Sequence, residues 1–207
     1  MKTLFQIIIL SLIIVSCKNE IKETPNTITE KEKLKITKRD TFIVNFQCEE
    51  MANANFDSEL KTQLRKLDNL ENNYQILESG KTDLEESIVF NGLRRLPKLN
   101  NERYFFQIDS FRNDIREINY GQIKGTKDLG SKTYARARVE ELIFNSEECA
   151  NRLVNFINQI KEESYAWEYA DKAPSSIFQK ENKAYYIATG GSFMKPFCKE
   201  IEDEMRK

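Results

Sequence analysis

Carboxylates and cysteines are the residues of this chain that could do chemistry, because histidine is missing: none occurs among the 207 residues. That absence removes Ser-His-Asp and Cys-His nucleophile systems. It also removes His-bearing zinc sites, both structural and catalytic. An enzyme built from this chain would work with carboxylates, Lys, Tyr or a bound cofactor. The adjacent pairs Glu147-Glu148 and Glu162-Glu163 are the carboxylates nearest to an acid–base arrangement. Neighbours on a helix point in different directions, so these pairs fit a helix surface better. The cysteines are Cys17, Cys48, Cys149 and Cys198. None makes a C-x-x-C, so neither a thioredoxin motif nor a zinc knuckle is supported.

Three stretches carry residue types suited to binding. Thr189-Gly190-Gly191-Ser192, with Lys195 close by, lies between a predicted strand and helix, where backbone amides can hold an anion. It lacks the P-loop lysine spacing and the dinucleotide glycine pattern, and reads as a glycine turn with Ser192 as helix cap. Tyr134, Arg136, Arg138 and Glu140 share one face of a predicted strand, opposite Ala135, Ala137 and Val139. Tyrosine and arginine in a row resemble the composition of interface hot spots; a solvated face with cross-strand ion pairs is the plainer reading. Tyr165, Trp167 and Tyr169 cluster before Lys172-Ala173-Pro174, as a platform for a sugar, a peptide or a protein, or as a cover for the core edge. The candidate binding residues are therefore Arg136, Arg138, Tyr165, Trp167 and Tyr169. No catalytic residue, metal ligand or cofactor is expected.

The elements that must position them follow from periodicity. Thr41–Phe46 and Arg103–Ile108 read as strands, rich in β-branched and aromatic residues. Phe56, Leu60, Leu64 and Leu67 predict a helix from Asp57, its cap, to about Leu67. Tyr74–Leu77 fits either a continuation of that helix or a short strand. Thr82-Asp83-Leu84-Glu85 has capping-box spacing for a helix carrying Leu84, Ile88 and Leu96. Phe111, Ile115 and Ile118 suggest a short helix. Residues 120–132, with Gly121, Gly125 and Gly130, read as loop. Tyr134–Phe144 alternates as a strand, and Ser146 caps a helix to about Glu162. Its stripe is Ala150, Leu153, Val154, Ile157 and Ile160, with Glu147 and Glu148 at the positive end of the dipole. Phe178 and Ala184–Ala188 belong to short strands turned at Glu181-Asn182. The last helix puts Phe197, Cys198, Ile201 and Met205 on one face, with Pro196 tolerated in its first turn. Strands separated by both helices and hairpins predict an α+β fold, with a mixed or antiparallel sheet and helices on one face.

The N-terminus sets the address. Lys2 is the only charge before an apolar run from Leu4 to Val15, which ends at Ser16-Cys17 and gives way to Lys18, Asn19 and Glu20. The run is shorter than the roughly 20 residues a membrane span needs and has the parts of a secretory signal. Ile14-Val15-Ser16-Cys17 resembles the lipobox of bacterial lipoproteins. The resemblance implies cleavage after Ser16, diacylation of the Cys17 sulfur, and Cys17 as the mature N-terminus. Several acyl chains on one residue would anchor stably, where a single chain binds only marginally. The expected organisation is a signal peptide over 1–16, a lipidated N-terminus and flexible tether over 17–39, and one α+β domain over 40–207. The expected location is the bacterial cell envelope, at the outer membrane, facing the periplasm or the exterior. That compartment permits disulfides. With Cys17 lipidated, Cys48, Cys149 and Cys198 leave two arrangements: one bridge plus a buried thiol, or three buried thiols.

Charge excludes one class of partner. The 32 basic residues against 33 acidic give a net charge of −1, without the basic excess of a nucleic-acid binder. The reading is a lipid-anchored, non-enzymatic domain that binds another envelope protein. Two alternatives remain: an immunity or inhibitor lipoprotein against an envelope-targeted toxin, and a carboxylate-dependent hydrolase.

Overall fold

Strand β3, Arg136–Phe144, is the middle strand of the sheet, and both faces of that sheet are organised around it. The computed structural model describes residues 48, 54–96, 111–163 and 165–207, all within one unit, Arg39–Lys207. The expected strands at Thr41–Phe46 and Arg103–Ile108, the tether and Cys17 lie outside the described residues. The described elements run α1 (Leu60–Lys66, continued by a 3-10 turn Leu67–Asn69), β1 (Tyr74–Thr82), α2 (Ile88–Arg95), β2 (Ile115–Gly125) and β3. Then follow α3 (Glu147–Glu163), α4 (Ala166–Asp171), β4 (Ser175–Lys180), β5 (Lys183–Thr189) and α5 (Lys195–Met205). The sheet is fully antiparallel in the order β1-β2-β3-β5-β4.

The fold is α+β with an antiparallel sheet, as the sequence predicts, but helices cover both faces rather than one. Successive strand residues point to opposite sides. Leu142, Ala184 and Tyr186 join one core with Leu153 and Ile157 of α3. Val139, Tyr185 and Ile187 join the other with Leu64 of α1 and Ile201 of α5. β3 is buried along nearly all its length on both faces, but Arg138, Glu140 and Glu141 break the continuous apolar run such a strand usually shows, so its sequence does not reveal that the second face is also covered.

Several local readings are corrected. Residues 115–125 form β2, not a short helix followed by a loop. Gly121 is there because α1 lies directly on the strand: a Cβ at that position would sit 2.4 Å from Leu64 Cδ1. Glycine inside a strand marks close approach as well as a turn. Tyr74 begins β1, resolving that stretch as strand. Glu59, not Asp57, occupies the N-cap of α1 and makes no side-chain cap bond. Ser87, not Thr82, caps α2, accepting from the Phe90 amide. Asp83 Oδ1 accepts instead from the Glu86 amide in the preceding turn.

The C-terminal third follows the sequence closely. Ser146 Oγ accepts from the Cys149 amide at the start of α3. The β4–β5 hairpin turns at Glu181, with φ +52°, and Asn182, whose side chain donates to Phe144 O. Pro196 sits in the first turn of α5. The turn at Gly190-Gly191 leads into a short 3-10 segment that Ser192 does not cap.

Candidate functional site

The charges of β3 fall into two groups. Glu140 and Glu141 are both fully buried, and as neighbours they project to opposite faces. Glu140 receives the start of α2: Ser87 Oγ donates to it at 2.7 Å, and the Ile88 amide at 2.9 Å. Glu141 receives the approach to α1: Ser58 Oγ donates at 2.5 Å, the Glu59 amide at 2.9 Å and Tyr185 Oη at 2.8 Å. On the Glu141 face Lys183, 1 % exposed, donates to Asn55 O and Glu59 Oε1. Burial, then the Glu141 charge, holds the Tyr185 hydroxyl far above the ordinary phenol range. Removing a charge from water is costly unless hydrogen bonds replace the hydration shell. Both carboxylates therefore serve the fold, each anchoring one helix-bearing segment to the central strand.

The arginines divide differently. Arg138 leans toward Glu140, donating from Nε at 3.1 Å and Nη2 at 2.9 Å, and lies over the Tyr120 ring at 4.5 Å. Arg136 is exposed. Its register partner on β2 is Lys124, so two cations stand directly opposite on one face. Lys124 Nζ lies 4.0 Å above the Tyr134 ring. Among the described residues neither Lys124 nor Arg136 has a carboxylate partner. Two carboxylates on that face are engaged elsewhere: Glu78 takes Tyr120 Oη at 2.5 Å and Gln122 Nε2 at 3.2 Å, and Glu140 takes Arg138.

This cationic group lies at one end of the sheet. On the same face the rows through Ile118–Leu142–Ala184 and Tyr120–Glu140–Tyr186 belong to the helix-covered half. The rows through Gln122–Arg138–Ala188 and Lys124–Arg136 are only partly buried or exposed. Arg136 and Arg138 are thus brought together as the sequence suggests, with Arg138 committed to Glu140. Lys124, Gln122 and Tyr120 were missed because the glycines around them read as loop.

The aromatic cluster separates. Trp167 is core, 2 % exposed, donating from Nε1 to Ser175 Oγ at 3.1 Å and packing edge-on to Tyr186. Its ring rests on Gly92 of α2, where a Cβ would lie 3.1 Å away; this explains the glycine inside that helix. Tyr165 and Tyr169 remain exposed on the outer side of α4. Beneath α4, Tyr186 Oη donates to Asp171 at 2.6 Å, and burial raises the Asp171 carboxyl above its ordinary range.

Cys48 and Cys149 form a disulfide with Cα atoms 5.7 Å apart. Cys198 is a buried thiol, and burial pushes it up to about 11. Of the two arrangements open in the sequence, the structure has one bridge plus one buried thiol. Asp114 lies within 4.8 Å of the bridged sulfurs, but it pairs with Arg152, and sulfurs bonded to each other offer no thiolate to a metal. Among the described residues no helix is long and apolar enough to cross a membrane. Comparison with protein-family models, curated proteins and solved structures returns no match to this chain.

Proposed function

We propose that this protein is a lipoprotein of the bacterial cell envelope. Cys17 carries the lipid, residues 18–39 form a tether, and the folded domain binds another envelope protein without catalysis. The observation that carries the reading is the apolar run ending in Ile14-Val15-Ser16-Cys17. The bridge between Cys48 and Cys149 supports it, since disulfides persist in oxidising compartments. The engagement of Glu140 and Glu141 by the fold supports the non-enzymatic part. The open cationic end of the sheet offers a surface for a partner.

Thiol counting and mild in-cell cross-linking test the proposal. A lipidated Cys17 and an intact bridge leave Cys198 as the single thiol, silent in the native protein and titratable after unfolding without reductant. Two titratable thiols in the unfolded, unreduced protein would show Cys17 unmodified. Cross-linking of the membrane-anchored protein is expected to trap one dominant envelope partner that a Cys17→Ala variant loses. Turnover of a cell-wall or lipid substrate by the purified protein, with no partner trapped, would contradict the reading.

A further inference from the structure

We propose that the open end of the sheet, centred on Lys124 and Arg136, is a binding site for an extended acidic segment of a protein partner. The proposal deepens the binding reading above by naming the surface and the chemistry of its occupant.

Like charges placed directly opposite on adjacent strands repel each other. Lys124 and Arg136 are such a pair, and Glu78 and Glu140 on that face are already engaged. Residues 18–40 hold seven Lys and Arg against five Asp and Glu, so that stretch has no acidic excess to complement the pair. Cys48 is bonded at the start of α3, beside the sheet end where Ile115 pairs with Phe144. The Lys124–Arg136 pair lies nine strand residues away, about 30 Å at roughly 3.3 Å per residue.

The surface suits an extended chain. Same-face rows of a strand repeat at about 7 Å, the spacing of alternate side chains on an extended segment. Carboxylates two residues apart could therefore meet Arg136 and Lys124 in one row and Gln122 in the next. The Tyr134 and Tyr120 rings flank that path beneath the Lys124 and Arg138 cations.

The test uses the full lipidated chain in neutral detergent and a fluorescein-labelled hexaglutamate peptide, read by anisotropy. The peptide is expected to bind and to be released by salt. A Lys124→Gln/Arg136→Gln double variant should weaken it about tenfold, the scale of two exposed ion pairs. Lys199→Gln, on α5 and paired with Asp203, should leave it unchanged. Failure of the wild-type chain to bind, or equal binding by the double variant, would overturn the proposal. Tighter binding of short-chain phosphatidylglycerol than of the peptide, lost in the same double variant, would overturn it in favour of a lipid headgroup. The anchor reading is separable: Cys17→Ala should bind the peptide as wild type does, so an unmodified Cys17 leaves this result standing. A failed peptide assay in turn leaves the lipidation test untouched.

Discussion

The two ends of the sheet treat charge in opposite ways. In the covered half, Glu140 and Glu141 are buried and each has several donors, Lys183 is buried against Glu59, and the Cys48–Cys149 bridge closes the neighbouring corner. At the open end, Lys124 and Arg136 face each other across a ladder with no carboxylate partner among the described residues, Lys124 lying over the Tyr134 ring. Charge in the first region sets where helix-bearing segments dock. Charge in the second sets two cations opposite each other, which slightly opposes the fold. Charged residues within six positions of one strand thus divide between stability and availability. Burial and the partners already present decide which.

Substitutions can break that contrast. The largest expected effect is in the covered half: Cys48→Ser should cost roughly 4–5 kcal/mol, the chain-entropy value for a loop of about 100 residues, read from urea unfolding without reductant. A loss below about 1 kcal/mol would show that the bridge constrains little. Glu141→Ala should cost about 3 kcal/mol, since Tyr185 Oη, Asn119 Nδ2 and the Glu59 amide lose their common acceptor. Unfolding midpoints measure this. An unchanged midpoint would mean water replaces the carboxylate, and the carboxylate would not be structural.

A finer test lies under α4. The Asp171 carboxyl is raised mainly by burial, against the lowering effects of Tyr186, Ser175, Lys161 and Arg95. A carboxyl raised in the fold binds its proton more tightly there than in the unfolded chain, so its contribution is favourable in acid and lost as pH rises through the folded value. Asp171→Asn keeps an acceptor for Tyr186 and removes the buried charge. It should raise the midpoint at neutral pH, with the advantage shrinking in mild acid. An advantage that grew in acid would reverse the assignment. The smallest effect belongs to the open end: Arg136→Gln should be neutral or stabilising by a few tenths of a kcal/mol, because it relieves a like-charge cross-strand pair. A clear loss of thermal stability would reveal a structural role for the guanidinium.

How much of this was legible depends on what each pattern reports. Between Tyr134 and Met205 the strands, the long helix α3 and α5 were legible, because Ser146, Glu181-Asn182 and Pro196 punctuate them locally, whereas the short helix α4 was not. β2 was misread because Gly121 and Gly125 look like turn residues until the packing of Leu64 and Asn72 on the backbone is known. Alternation in β3 showed one apolar side, but Glu140 and Glu141 carry no sequence mark of burial; their partners lie more than fifty positions away at Ser87 and Ser58. At the open end, Arg136 and Arg138 were visible as a pair of like charges on one face. Lys124, which makes that face unusual, became visible only through strand register. Trp167 looked like a binding residue because its neighbours are aromatic; Gly92, seventy-five positions earlier, is what it packs against.

The measurement that tests the central claim most directly is site-specific photo-cross-linking in living cells. Benzoylphenylalanine in place of Gln122, opposite Arg138 in the row next to Lys124–Arg136, is compared with the same probe in place of Lys199 on α5. The division of charge described above predicts one discrete adduct from position 122, weakened by Lys124→Gln/Arg136→Gln, and none from position 199. Adducts from position 199 with none from position 122, or an adduct at 122 indifferent to the two cations, would contradict it.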